Sequence, residues 1–306
     1  MMTRQSHSDG HPQATAITVG TFDGLHRGHI AVLSALRDES ARRGLRPVVV
    51  TFPNHPLDII APERAPKQVM SPEEKSERLR QYGVEIIMQP FTREMMGQSA
   101  RDWMRHLRDD LHARLIVIGY DNTFGSDGRS LSSDDYRAIG HDLGLEVIIP
   151  PVVEGCSSSA VRRAVNEGKL EEANNILGYP FTLSGSVVKG DQIGRTIGFP
   201  TANLQLPDPD RQLLPPFGAY VARAILPDGR SFGAITNIGV RPSVTSDPRL
   251  RIETHILDFG EDLYGQGLSI QLLSMLRREC RFPSIEALKE AIARDKADAI
   301  SYLQNL

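Results

Sequence analysis

His26 and His29 stand three residues apart, directly after a glycine-bearing turn, in the run Ile17-Thr18-Val19-Gly20-Thr21-Phe22-Asp23-Gly24-Leu25-His26-Arg27-Gly28-His29. The β-branched residues that open the run predict a short strand, and the histidines fall where a helix begins. Helix N-termini present unpaired N–H groups and the positive end of the dipole, so they attract phosphate. Gly20, Gly24 and Gly28 let the backbone approach such a ligand with no Cβ in the way. Residues at i and i+3 share a helical face, so both imidazoles could meet one triphosphate. A surface turn with two solvated histidines is the plain alternative. No Gly-Lys-Ser/Thr closes the run, so it is not a P-loop.

Further clusters could serve phosphate chemistry. Gly119-Tyr120-Asp121-Asn122-Thr123-Phe124-Gly125 follows an apolar strand and sets a carboxylate among turn residues; an Asx turn leaving a strand is the simpler reading. Ser157-Ser158-Ser159-Ala160-Val161-Arg162 places hydroxyls and a guanidinium where a helix opens, an anion site beyond what one serine N-cap requires. Residues 185–203 carry glycines at 185, 190, 194 and 198 and end in Pro200-Thr201-Ala202-Asn203. Such a loop can cradle phosphates with main-chain N–H groups, and Thr201 and Asn203 offer the hard oxygen ligands that suit Mg²⁺. Glu253 alternates with apolar residues and by itself reads as an acid on a solvated strand face.

Up to about residue 178, β-branched runs at 15–20, 47–52, 84–88, 114–119 and 145–149 alternate with helical patterns. The helices are expected over 28–43, 71–82, 99–110, 133–143, 157–167 and 170–177, with Ser71 capping the second. That alternation predicts an α/β doubly wound parallel sheet, with ligands at the carboxyl ends of its strands. After Gly178-Tyr179-Pro180, short strands expected at 183–189, 218–225, 231–238, 251–258 and 268–273 predict a small antiparallel β-barrel. A terminal helix over 284–303 follows, capped by Ser284. The expected division is a disordered tail over 1–14, one domain over 15–179 and a second over 180–306.

The 306 residues suffice for two cores, and a net charge of -3 argues against a general nucleic-acid binder. Two distant cysteines, Cys156 and Cys280, give neither a disulfide framework nor a zinc site and suit a reducing cytoplasm. No apolar run reaches membrane-spanning length, and the polar first residues do not read as a signal peptide.

The run GTFDGLHRGH resembles the HxGH motif of nucleotidylyltransferases, in the version found in bacterial bifunctional riboflavin kinases/FMN adenylyltransferases. Residues 185–203 match that family's kinase signature, G-x-V-x-x-G-x-x-x-G-R-x-x-G-F-P-T-A-N, at every fixed letter. Asn237-Ile238-Gly239-Val240-Arg241-Pro242, Asp262-Leu263-Tyr264-Gly265 and Leu276-Arg277-Arg278-Glu279 match further family segments, so the likeness covers about residues 14–303. The resemblance implies phosphorylation of riboflavin to FMN, then adenylylation of FMN to FAD with release of pyrophosphate. ATP is the co-substrate and Mg²⁺ the cofactor; riboflavin, FMN and ATP are the small-molecule partners, with no nucleic acid or membrane, and self-assembly is left open.

The same resemblance implies residue roles. His26 and His29 act on the triphosphate, with Gly20, Phe22, Asp23, Gly24, Ser158, Ser159 and Arg162 binding nucleotide. Phe52, His55, Pro56, Asp121 and Phe124 face the flavin of this first site. In the second, Glu253 is the base, Thr201 and Asn203 hold the metal, and Gly190, Gly194, Arg195, Gly198 and Pro200 bind nucleotide. Asn237 and Arg241 shape the second flavin pocket. Two departures stand out: Asn54 replaces a proline in Thr51-Phe52-Pro53-Asn54-His55-Pro56, and Asn122 stands where an aromatic is common.

Overall fold

The computed structural model describes residues 13–120, 122–190, 194, 198–241, 249–280 and 282–306. Asp121 and Arg195 lie outside the described residues, as do the side chain of Arg241 and residues 1–12 of the expected tail. The chain forms two compact units, one from the residues up to Pro66 with Lys75–Glu154, the other from Lys67–Glu74 with Gly155–Leu306.

In the first unit, β1 (Thr15–Val19), β2 (Arg46–Thr51), β3 (Glu85–Met88), β4 (Ala113–Val117) and β5 (Glu146–Ile148) form a sheet of order β3-β2-β1-β4-β5. Every pairing is parallel. A parallel sheet is covered on both faces, which is why its strands read as continuous apolar runs. Helix α1 (Arg27–Arg43) packs against β1, β2 and β4. Trp103, Met104 and Leu107 of α5 (Ala100–Asp110) and Tyr136 of α6 (Ser133–Asp142) pack with Ile17, Val19, Val48, Val50 and Ile116. The strand order reverses between β1 and β4, and ligands of open α/β sheets bind at the carboxyl ends flanking that point.

Three shorter or offset elements matter to the site. Helix α2 (Leu57–Ile60) follows β2, and α4 (Arg93–Gly97) follows β3. Helix α3 (Pro72–Arg80) begins at the expected cap, where Ser71 Oγ accepts from the Glu74 N–H at 3.1 Å.

In the second unit, β6 (Phe181–Val188), β7 (Ala202–Gln205), β8 (Gly218–Ile225), β9 (Ser231–Arg241), β10 (Arg249–Ile256) and β11 (Gly267–Arg278) close a barrel of order β10-β7-β6-β11-β8-β9. All its pairings are antiparallel. Helices α7 (Ser158–Glu167) and α8 (Leu170–Leu177) contribute Val161, Val165, Leu170 and Leu177 to the core that the barrel buries. The packing boundary therefore falls at Gly155, ahead of the change in sequence texture near residue 180, because the apolar faces of these two helices are covered by barrel residues.

Helix α9 (Ile285–Gln304) packs through Ala299, Tyr302 and Leu303 on Val221, Ile235 and Leu273. Arg277 ties it down: its guanidinium donates to the buried Asp295 carboxylate at 2.8–3.1 Å and lies over the Phe282 ring. Arg277 is a structural clamp between β11 (Gly267–Arg278) and the terminal helix.

Candidate active sites

In the first unit, Phe22, Gly24 and Leu25 all have positive φ (47°, 85° and 35°). Non-glycine residues rarely adopt this region, and such strain persists where the surroundings over-determine it. The turn delivers His26 to the N-cap of α1, where its Nδ1 accepts from the His29 N–H at 3.4 Å. The two imidazoles stack with centroids 3.7 Å apart, and the buried Phe22 ring packs against His29. His29 Nδ1 is buried with no hydrogen-bond partner among the described residues, in a site built beside a helix N-terminus. Burial, with His26 and Lys75 nearby, holds the His29 imidazole well below the ordinary histidine range, so it is neutral at pH 7.

Lys75 on α3 is buried below this turn. Its ammonium donates to Thr21 O at 2.7 Å and Phe52 O at 2.8 Å, joining the segments that leave β1 and β2.

Beside the turn lies a cavity of about 680 Å³ that brings together Phe52, His55, Pro56 and Phe124 of the expected flavin set. Phe91, Met95, Met96, Trp103 and Arg129 also line it, and none of these was expected from the sequence. The signal was faint: α4 is barely more than a helical turn, and Trp103 reads as an ordinary core residue of α5.

Both departures from the family pattern are amide clamps at this cavity. Asn54 donates to Phe91 O at 3.1 Å and accepts from the Phe91 N–H at 2.8 Å, joining the loops after β2 and β3. Asn122 Nδ2 donates to Val19 O, tying the loop after β4 to the end of β1 across the point of strand reversal. His55 Nδ1 accepts from the Leu57 N–H at 3.1 Å, and the His55 N–H donates to Asp58 at 2.7 Å, which fixes the start of α2.

Ser157, Ser158, Ser159 and Arg162 belong to the second unit. Ser157 caps α7 by accepting from the Ala160 N–H at 3.1 Å, leaving Ser158 and Ser159 as the first two helical residues. Arg162 Nε donates to Lys67 O at 2.8 Å.

The barrel builds its own site by register. Glu253 on β10 is paired with Asn203 on β7 and with Asn237 on β9. Directly paired residues of antiparallel strands share a face with Cβ atoms about 4.5–5.5 Å apart, so one carboxylate sits between two amides. Arg251, two residues away on the same face, places Nη1 at 3.4 Å from Glu253 Oε1.

Two described glycines of the loop make close approaches. A Cβ on Gly190 would lie 2.4–2.6 Å from the side-chain amide of Asn203, and one on Gly194 would lie 2.3 Å from Phe199 O. Only glycine lets the loop come so close. His255, on the face of Glu253, donates from Nδ1 to Pro200 O at 2.8 Å and meets the Phe199 ring edge-on, holding the Pro-Thr-Ala-Asn turn in place. A second cavity, of about 450 Å³, is lined by Thr201, Ala202, Thr254, Phe259, Asp262 and Tyr264, so the expected metal ligand Thr201 sits at its wall. Gly198 lies on the described edge of the glycine loop, with φ of +89°.

Thr201 and Asn203, two residues apart, form a donor set that fits a hard cation carried by a nucleotide. No group of three or more His, Cys, Asp or Glu among the described residues could hold a metal alone. Thr201 and Asn203 instead offer neutral oxygens, the complement of an ion that takes most of its ligands from phosphate and water.

Comparison with known proteins gives a consistent match in both units. A family model described as FAD synthetase matches residues 8–161, and one described as riboflavin kinase matches residues 177–303. The bifunctional riboflavin kinase/FMN adenylyltransferase of Escherichia coli (strain K12) is 36% identical over 293 residues, covering 94% of this chain and 92% of the relative. The Bacillus subtilis (strain 168) protein of the same description is 30% identical over 312 residues, covering 100% and 98%. A crystal structure from Streptococcus pneumoniae, described as a macrolide-efflux protein, superposes with a TM-score of 0.84 at 30% identity over 94% of each chain. Among the described residues, no helix is long and apolar enough to cross a membrane.

Proposed function

The chain belongs to the bifunctional riboflavin kinase/FMN adenylyltransferase family, and from that premise we propose how its two sites divide the work. The protein phosphorylates riboflavin to FMN with ATP and adenylylates FMN to FAD with release of pyrophosphate. We assign the kinase step to residues 180–306 and the adenylyl transfer to 15–179. The observation that carries the assignment is the row Asn203–Glu253–Asn237, a carboxylate and hard oxygen donors gathered in the barrel, away in sequence from the stacked histidines.

In the kinase step, Glu253 accepts the proton of the attacking flavin hydroxyl, and its amide and guanidinium neighbours hold the carboxylate in place. Thr201 and Asn203 would hold Mg²⁺, which would supply charge neutralisation on the transferring phosphates. Gly190, Gly194, Arg195, Gly198 and Pro200 are assigned to nucleotide binding, and Asn237 and Arg241 to flavin binding.

In the adenylyl transfer, the N-terminus of α1 and the two imidazoles stabilise charge that develops on the α-phosphate and the leaving pyrophosphate. Gly20, Asp23 and Gly24 position the nucleotide, with Phe22 packed against His29. Ser158, Ser159 and Arg162 supply further phosphate donors. Phe52, His55, Pro56, Asp121 and Phe124 orient the FMN, and no covalent enzyme intermediate is needed. The free thiols of Cys156 and Cys280 support a cytoplasmic setting.

The Mg²⁺ dependence of FMN formation tests the metal assignment. Asn203→Ala is expected to raise the Mg²⁺ concentration for half-maximal riboflavin phosphorylation by about tenfold or more. FAD formation from supplied FMN stays at the wild-type level. An unchanged Mg²⁺ requirement contradicts the role given to Asn203.

A further inference from the structure

Lys75 on α3 occupies an unusual position. Buried lysines are rare because the ammonium loses its hydration. The hydrogen-bond partners of this one are two neutral carbonyls, Thr21 O and Phe52 O, at 2.7 and 2.8 Å. Those carbonyls sit where the chain leaves β1 and β2, the segments that carry the histidine turn and the Phe52 wall of the cavity. Burial outweighs the attraction of Asp23, so the ammonium is pushed down to about 8. Its charge also acts on His29. This buried cation is bonded to a carbonyl of the histidine turn and acts on His29, so an arriving polyphosphate there adds negative charge that favours the ammonium.

We infer that Lys75 is a positioning residue for adenylyl transfer: it clamps the exits of β1 and β2 together and holds a positive charge beneath the phosphate cradle that nucleotide binding requires. The inference rests on the assignment of that cradle to ATP. The charged and titratable groups acting on Lys75 from other elements are Asp23 in the turn and His29 on α1, which stacks on His26. Its own helix adds Glu73, Glu74, Glu77, Arg78 and Arg80.

Below about pH 8 the ammonium is charged and ATP capture is favoured; above it, the charge is lost. Bound triphosphate raises the lysine's basicity, so the loss is seen in kcat/KM for ATP and moves to higher pH in kcat.

The test measures FAD formation from FMN and ATP between pH 6 and pH 10, in full-length wild type, Lys75→Arg and Lys75→Met, with riboflavin phosphorylation followed in parallel. Wild type is expected to lose kcat/KM for ATP on an alkaline limb near pH 8. Lys75→Arg keeps that parameter within about tenfold of wild type and lacks the limb, since guanidinium stays charged. Lys75→Met lowers it by about a hundredfold, without an alkaline limb, while riboflavin phosphorylation is unchanged. A methionine variant within threefold of wild type, or a limb that persists in the arginine variant, overturns the inference. If Lys75→Met does not fold, a wild-type profile that is flat from pH 7 to pH 9 overturns it as well. His29→Ala serves as the control: normal FAD formation there sinks the site itself, whereas loss in His29→Ala with none in Lys75→Met sinks only the lysine's role.

Discussion

Replacing His29 with alanine is expected to lower FAD formation from FMN by about 10²–10⁴-fold, with riboflavin phosphorylation unchanged. His29 contributes a buried ring nitrogen that no described residue satisfies, held by the stacked His26 ring on one side and Phe22 on the other. Such a group stabilises developing phosphate charge without reorganising, the situation in which one donor has its largest effect. Removing the ring also removes a stacking partner of the residue that caps α1. His29→Gln, which keeps a hydrogen-bonding side chain, therefore separates lost chemistry from a loosened turn. Product chromatography with FMN and then riboflavin as substrate gives the answer; parallel loss of both activities contradicts independent sites.

Glu253→Gln is expected to show the converse. Riboflavin phosphorylation falls by about 10²–10⁴-fold, the usual contribution of a positioned general base, while FMN supplied directly is still converted to FAD. Glutamine preserves the shape and the register between Asn203 and Asn237, so the barrel is undisturbed and the loss measures the carboxylate alone. Wild-type FMN formation by this variant would remove Glu253 from the reaction and return it to an acid on a strand face.

The architecture was legible because hydrophobic patterning and turn residues agree with it. The five apolar runs of the parallel sheet start and end within one or two residues of β1–β5, since strands buried on both faces leave uninterrupted β-branched segments. Strand β7 was not anticipated: Ala202-Asn203-Leu204-Gln205 offers one large apolar side chain, and its place is decided by pairing with β6 and β10. Helices α2 and α4 are too short to show a period.

The sites were legible wherever spacing along the chain encodes them. His26 and His29 lie a helical turn apart, and the glycines of 185–203 mark a loop that must approach Thr201 and Asn203 closely. What the sequence concealed depends on tertiary packing. Within Ser71-Pro72-Glu73-Glu74-Lys75-Ser76-Glu77-Arg78, a lysine reads as one more solvated charge, and only folding buries it under Thr21 and Phe52. Asn54 and Asn122 read as departures from a family pattern, yet their amides bind backbone groups that lie 37 and 103 residues away. The row formed by Asn203, Glu253 and Asn237 likewise exists only through strand register.

The most direct measurement follows all products when the purified full-length protein meets riboflavin, ATP and Mg²⁺. Two complete and separate sites predict that FMN appears first and FAD follows, with ADP matching the riboflavin phosphorylated and pyrophosphate matching the FAD formed. FMN that accumulates with neither FAD nor pyrophosphate, or riboflavin left unchanged while added FMN still yields FAD, contradicts it.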